Sequence, residues 1–251
     1  GETLTQLFYA SDLVEPHEFK AFTLPLLTRM QGISAVAWAP VVTRAQRSGF
    51  EEHGWKDVRQ ASRITERNRD FAFVPAGSRE RYYPICYMET VKSDLKDLTG
   101  FDLGSIPEVH AALKRAENIH APAVCSRISL KRDKYVTLVT VPFHRRDAGS
   151  RDHHKATGVL EGFITVILEE DDLKGSLSEI VRSSRLEFIL SDVFNQAGQE
   201  TVVSNVSAPF ADRSFRSILY PKGLGIFRDI GFADSIWRLR IFAGREFMDL
   251  Q

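Results

Sequence analysis

Asp102 is the residue whose type and setting most suggest chemistry in this chain. It lies in Gly100 to Leu130, GFDLGSIPEVHAALKRAENIHAPAVCSRISL, just ahead of a helix and a return strand. An ionised carboxylate accepts hydrogen bonds and donates none, so one fixed by a helix start selects a partner that carries N–H groups. The same acid has a plainer use as a solvated charge facing the positive end of the helix dipole. The residues alone leave both uses open. Tyr83, Tyr87 and Phe143 have flat apolar faces that would wall a pocket, or equally fill a sheet core. Thr137 and Thr140 carry hydroxyls, but three positions apart on a strand they point to opposite faces, so at most one serves a given cavity. Arg127 would bring a charged donor to that cavity or sit on the outer face of its sheet.

Other constellations point away from catalysis. His144, His153 and His154 share a loop with Asp147 and Asp152, but their spacing matches no closed metal site, and neither a metal nor a cofactor is expected. The acid run from Glu169 to Asp172 suits the start of a helix. Gly223-Leu224-Gly225 is too short for a phosphate-cradling loop. With no local signature of a nucleophile, this domain is expected not to be an enzyme.

The elements that must hold Asp102 are legible around it. Ser105 and Glu108 have the spacing of a capping box, Pro107 falls in the first turn, and Val109, Ala112, Leu113 and Ala116 repeat at helical spacing. Arg81 to Glu89 reads as a strand with Tyr83, Ile85 and Tyr87 on one face. Tyr135 to Phe143 and Gly158 to Leu168 are rich in β-branched and aromatic residues. Upstream, Leu4 to Leu13 is weakly helical. Phe19, Phe22, Leu26 and Met30 mark one face of a second helix that Pro25 is expected to kink or split, with Gly32 as its stop. Thr43 to Gly54 looks helical, and Arg59 to Arg67 reads as an edge strand. Arg145 to Ala156 is a charged hairpin loop. Asp172 to Ser184 is a helix with Leu173, Leu177, Ile180 and Val181 on one side. Short strands follow at Leu186–Leu190, Thr201–Ser204, Ser214–Tyr220 and Ser235–Ala243. Periodicity thus gives an α+β chain, N-terminal helices and then two antiparallel sheet-forming blocks around a helix, the first in a PAS-like order.

Composition bounds the rest. With 251 residues, 43% of them hydrophobic, the chain can bury a substantial core. The 33 basic and 33 acidic residues cancel, which argues against nucleic acid as a partner. No apolar run of ~18 residues is present to span a membrane. Cys86 and Cys125 fall in strands that are candidate neighbours, leaving two buried thiols or one disulfide open.

Four segments in order carry a resemblance: AVAWAPVVTRAQRSGFEEHG (Ala35 to Gly54), RYYPICYMETV (Arg81 to Val91), the Gly100 to Leu130 stretch and GVLEGFITVILEEDDL (Gly158 to Leu173). Together they resemble a CHASE domain, an extracytoplasmic sensor module of bacterial histidine kinases, diguanylate cyclases and plant cytokinin receptors. The resemblance implies a small-molecule-binding, periplasmic sensor lying between two membrane helices that fall outside this sequence. It implies a homodimer in the full-length receptor and a cytoplasmic kinase or cyclic-di-GMP output. It implies tandem PAS-like units: an N-terminal helical dimerisation region at 1–57, a membrane-distal ligand-binding unit at 58–172 and a membrane-proximal unit at 173–251. It places Asp102 against the ring donors of an adenine-like ligand, with main-chain groups at Val124 or Cys125 completing the contact. Asn118-Ile119-His120 departs from the Thr-Gly pair of many relatives, and Arg127 opens the option of a small carboxylate instead. The competing expectation is a periplasmic module that binds a protein partner and no small molecule.

Overall fold

The computed structural model describes residues 15–30, 32–53, 63–131, 134–146, 158–182, 184, 186–193, 200–206 and 225–243. The order is α1 (Pro16–Arg29), β1 (Ala35–Pro40), β2 (Val42–Thr43), α2 (Arg47–His53), β3 (Thr65–Arg67), β4 (Phe73–Pro75), β5 (Arg81–Tyr82) and β6 (Tyr87–Thr90). Next come α3 (Pro107–Ile119), β7 (Ala123–Lys131), β8 (Lys134–Arg146), β9 (Gly158–Glu169), α4 (Glu170–Arg182), β10 (Leu186–Asp192), β11 (Glu200–Ser204), β12 (Gly225–Phe232) and β13 (Ser235–Ala243). Among the described residues the strands form an α+β fold with two larger antiparallel sheets, the first five-stranded in the order β6-β1-β9-β8-β7 and the second four-stranded in the order β11-β10-β13-β12, beside the two-stranded pairs β2-β5 and β3-β4. β1, on the N-terminal side of residue 57, lies inside the first sheet between β6 and β9. Its close approach to β9 requires Gly162, where a Cβ would stand 2.6 Å from the Ala39 carbonyl oxygen.

The first sheet has two apolar faces, so its strands read as near-continuous hydrophobic runs. On one face Ala37, Phe163, Ile167, Leu138 and Cys125 pack against Val109, Ala112, Leu113 and Ala116 of α3. The opposite face is shared. Val36, Trp38, Phe143 and Ile164 meet Phe19 and Leu27 of α1, while Val124 and Leu168 meet Phe188, Leu190 and Trp237 of the second sheet and Val181 of α4. Among the described residues, no helix is long and apolar enough to cross a membrane.

Several expectations are corrected. α1 is one run through Pro25, and its buried residues are Phe19, Thr23 and Leu27, whereas Phe22 and Met30 are exposed. Thr23 enters the apolar face because its hydroxyl donates to the Phe19 carbonyl at 2.8 Å. The strand expected over Arg81 to Glu89 is broken at residues 83–86. There Ile85 pairs with Phe101 and Cys86 with Trp38 through main-chain bonds outside the ladder. The Ser105–Glu108 capping box does not form, and the helix N-cap is Ile106. Pro107 explains this, since the residue before a proline is driven to extended backbone, and Ile106 has φ −95 and ψ 118. β12 was not anticipated. Cys86 and Cys125 are free and buried on opposite faces of the first sheet, each thiol pushed up to about 12 by burial. Leu4 to Leu13, Ser214–Tyr220 and most of the Arg145 to Ala156 loop lie outside the described residues.

Candidate functional site

Phe101 to Leu103 is threaded between two stretches of backbone. Asp102 N–H donates to the Thr65 carbonyl at 2.8 Å, and Thr65 N–H to the Gly100 carbonyl at 2.9 Å. On the other side Ile85 N–H donates to the Phe101 carbonyl and Leu103 N–H to the Tyr83 carbonyl, both at 3.0 Å. The alternation sends Phe101 and Leu103 into the core and Asp102 the other way. All three are nonetheless fully buried, and Arg79 pairs with the carboxylate from the other side.

The two oxygens of Asp102 are held unequally. Oδ1 accepts from Tyr83 N–H at 2.8 Å and from Gly104 N–H at 3.0 Å, the second bond capping a short 3₁₀ turn at Leu103–Ser105. Oδ2 accepts from Arg79 Nη1 at 3.3 Å, at the long end for such a bond. Arg79 is also bonded to Glu66, whose Oε2 accepts from Gly77 N–H as well, so one guanidinium bridges two acids. Burial pushes the Asp102 carboxyl above its ordinary value, against the opposing pull of the Tyr83 N–H, Arg79 and the Gly104 N–H. Gly104 keeps the site compact. A Cβ there would stand 2.7 Å from the Tyr83 ring and 3.2 Å from Asp102 Oδ1.

Tyr83 lies against this acid. Its ring packs edge-on to Phe163 at 5.6 Å and tilted to His110 at 6.2 Å. Its hydroxyl is buried, and burial raises its pKa against the opposing pull of Lys114 and Arg81. Cys125 lies on the same face of the sheet. Thr140 shares that face, its hydroxyl donating to the Ala123 carbonyl at 3.3 Å, and the remaining expected residues are elsewhere. Tyr87 packs against Phe19 at 5.9 Å and Phe143 against Trp38 at 5.9 Å, both on the α1 face. Thr137 and Val124 also face away from α3. Arg127 occupies a bulge of β7 with φ +55, over the Tyr135 ring at 4.8 Å and 3.6 Å from Glu170. The structure therefore brings Asp102, Tyr83, Cys125 and Thr140 to one side of the sheet and places the side chains of the other residues on the far side or at the bulge.

Sequence reasoning missed Arg79 and Glu66, which complete the acid's surroundings. It also missed Thr165, a fully buried residue opposite Ala37 and Thr140 whose hydroxyl has no partner among the described residues. A lone threonine inside the apolar run FITVIL was the available signal. His144 is buried with its ring 4.9 Å from that of His120, and burial followed by His120 lowers its pKa. His153 and His154 lie outside the described residues.

The fold recurs in solved receptor structures. An extracellular ligand-binding receptor from Desulfohalobium retbaense is 12% identical with a TM-score of 0.54, over 97% of this chain and 36% of that one. The chain thus spans about a third of that receptor's length. The periplasmic sensory domain of a Campylobacter jejuni chemoreceptor is 11% identical with a TM-score of 0.51, over 99% of this chain and 86% of that one. At such identities the likeness is one of fold. No curated protein sequence matches the chain. The CHASE domain family matches residues 12–203, through both sheets as far as β11, and the chain therefore belongs to the CHASE family of extracellular receptor sensor domains.

Proposed function

We propose that this domain senses a small molecule that offers an N–H donor to Asp102 Oδ2 in place of Arg79. The carrying observation is the asymmetry of the buried carboxylate. Oδ1 is saturated by two main-chain N–H groups, whereas Oδ2 is held by one 3.3 Å bond from a side chain that is 31% exposed. An ionised carboxylate offers about four acceptor positions, so Oδ2 has room for a ligand donor. Arg79, once displaced, keeps its partner Glu66. An adenine-like edge of cytokinin type, or an amine, satisfies this chemistry. A small carboxylate held by Arg127 would be bound apart from Asp102.

In this reading 58–172 is the membrane-distal ligand unit, 173–251 the proximal unit and 1–57 the dimerisation region. The domain lies in the periplasm of a homodimeric receptor whose output is a histidine kinase or a diguanylate cyclase or phosphodiesterase. Asp102→Asn tests it, because the amide oxygen still accepts from Tyr83 and Gly104 while the charge is lost. In a thermal-shift screen of purines, amines, amino acids and carboxylates, an N–H-bearing compound should stabilise the wild type and not the variant. An equal shift in both would remove Asp102 from the ligand site.

One observation favours the second reading, a protein-binding module. Tyr83, Ile85, Phe101, Leu103, Leu113 and Phe163 are all fully buried between the first sheet and α3, a close-packed interior. That reading gains if none of these compounds shifts the wild type.

A further inference from the structure

The main chain of Val124 is occupied from within the protein. β7 is an edge strand of the first sheet, and such edges present unpaired N–H and C=O groups. At Val124 no strand among the described residues covers that edge; two side chains do. Val124 N–H donates to Asp234 Oδ1 at 2.6 Å, and Arg115 Nη2 donates to the Val124 carbonyl at 2.7 Å. Arg115 Nε then closes the ring onto Asp234 Oδ2 at 2.9 Å. Arg115 comes from α3, beside the first sheet, while Asp234 sits in the turn joining β12 to β13 of the second. Two residues along β7, Ser126 donates to Asp192 Oδ2 at 2.8 Å, and Asp192 Oδ1 accepts from Ser235 at 2.6 Å. Asp192 is 4% exposed, so this second bridge between the sheets is dry. Ala233, the residue before Asp234, has φ +53, a conformation an alanine adopts only under constraint.

We propose that the β12–β13 turn is a latch that closes the β7 edge, with Asp234 as the tongue, Arg115 as the keeper and Asp192 as the buried hinge pin. Asp234 and Arg115 supply an acceptor and a donor side by side, as a neighbouring strand would. Any group that takes up the Val124 N–H and C=O therefore excludes the turn. If a sensed molecule reaches that main chain, a contact beyond the Asp102 site of the preceding subsection, binding in the first sheet releases a contact of the second. The releasing molecule must carry an adjacent acceptor and donor, as an amide or a purine edge does.

Amide hydrogen exchange on the ligand-free 15N-labelled domain tests the latch without any ligand. In Asp234→Ala the Val124 amide should exchange at least 10-fold faster, while the Ile164 and Ile167 amides of β9 keep wild-type protection. Asp234→Asn retains an acceptor but loses the charge toward Arg115, and should give a smaller acceleration. It also supplies the measurement should the alanine variant not fold. Unchanged Val124 exchange in the variants would overturn the latch. So would an acceleration shared equally by β9, which would make Asp234 a contributor to global stability alone. Failure of the Asp102→Asn thermal-shift test, by contrast, leaves the Val124 result standing.

Discussion

Asp102 and Asp234 do the same local work in different surroundings. Each accepts from main-chain N–H groups with one oxygen and pairs with an arginine through the other. Asp102 is fully buried and serves two N–H groups, so its removal leaves both donors stranded without water. Asp234 serves one N–H group, its side chain is 15% exposed, and its partner Arg115 is 45% exposed, so water can replace what it gives. The difference shows that burial, more than the pattern of bonds, decides whether a carboxylate pins a structure or can let go of it. A group that holds the fold is costly to move, whereas a group at a half-open seam can switch.

The largest effect expected from that contrast is on Asp102→Ala. An unsatisfied buried N–H costs about 1–3 kcal/mol, and two are created, so a loss of about 3 kcal/mol follows. For a domain of this size that lowers Tm by roughly 10 °C, read by calorimetry. A Tm within 2 °C of wild type would mean that water reaches both N–H groups and that the two acids are alike. Gly104→Ala should follow at about 1–3 kcal/mol, because the added Cβ meets the ring of the fully buried Tyr83 at 2.7 Å, where neighbours have little room to give.

How much of this was legible in advance varies by element. The strands at residues 135–143 and 158–168 and the helix over 107–119 declared themselves, because their apolar spacing is set by burial on a sheet face or a helix stripe. Asp102 stood out as an acid before a helix. Its role as a cap for the 3₁₀ turn did not, since that role depends on Pro107 displacing the helix start to Ile106. Arg79 and Glu66 were invisible, since no local period joins them to residue 102. The latch was hidden for a similar reason: Arg115 and Asp234 are 119 positions apart, and only the packing of one sheet against the other makes them partners. β12 escaped because its residues are almost all exposed, leaving no alternation to read.

A smaller effect is expected at the turn itself. Left-handed backbone costs a non-glycine residue roughly 1 kcal/mol, so Ala233→Gly should stabilise the domain by about that much, less the entropy glycine gains in the unfolded chain. Urea titration would show it as a higher midpoint at unchanged slope. A lower midpoint would mean that the Ala233 methyl is packed in the seam and that the turn is a fixed part of the interface.

The subtlest distinction is in pH dependence, and it bears on whether Asp102 is held by its partners or merely buried. Burial leads the opposing influences and leaves the carboxyl above its ordinary 3.8. A raised carboxyl means that the folded state binds the proton more tightly than the unfolded state. Asp102 therefore adds stability below pH 3.8 that is lost as pH rises through the folded value. His144 acts in the opposite sense. Its imidazole is lowered from 6.5, so it opposes folding once pH falls below that value. The raw stability curve mixes the two, and the difference between wild type and Asp102→Asn removes the histidine. That difference in Tm should shrink as pH rises above 3.8, because wild type alone must bury an ionised group. A difference that grows with pH would show that the Arg79 pair and the two N–H groups outweigh burial. Asp102 would then be an anion locked in place, and the exchange of Arg79 for a ligand would lose its physical basis.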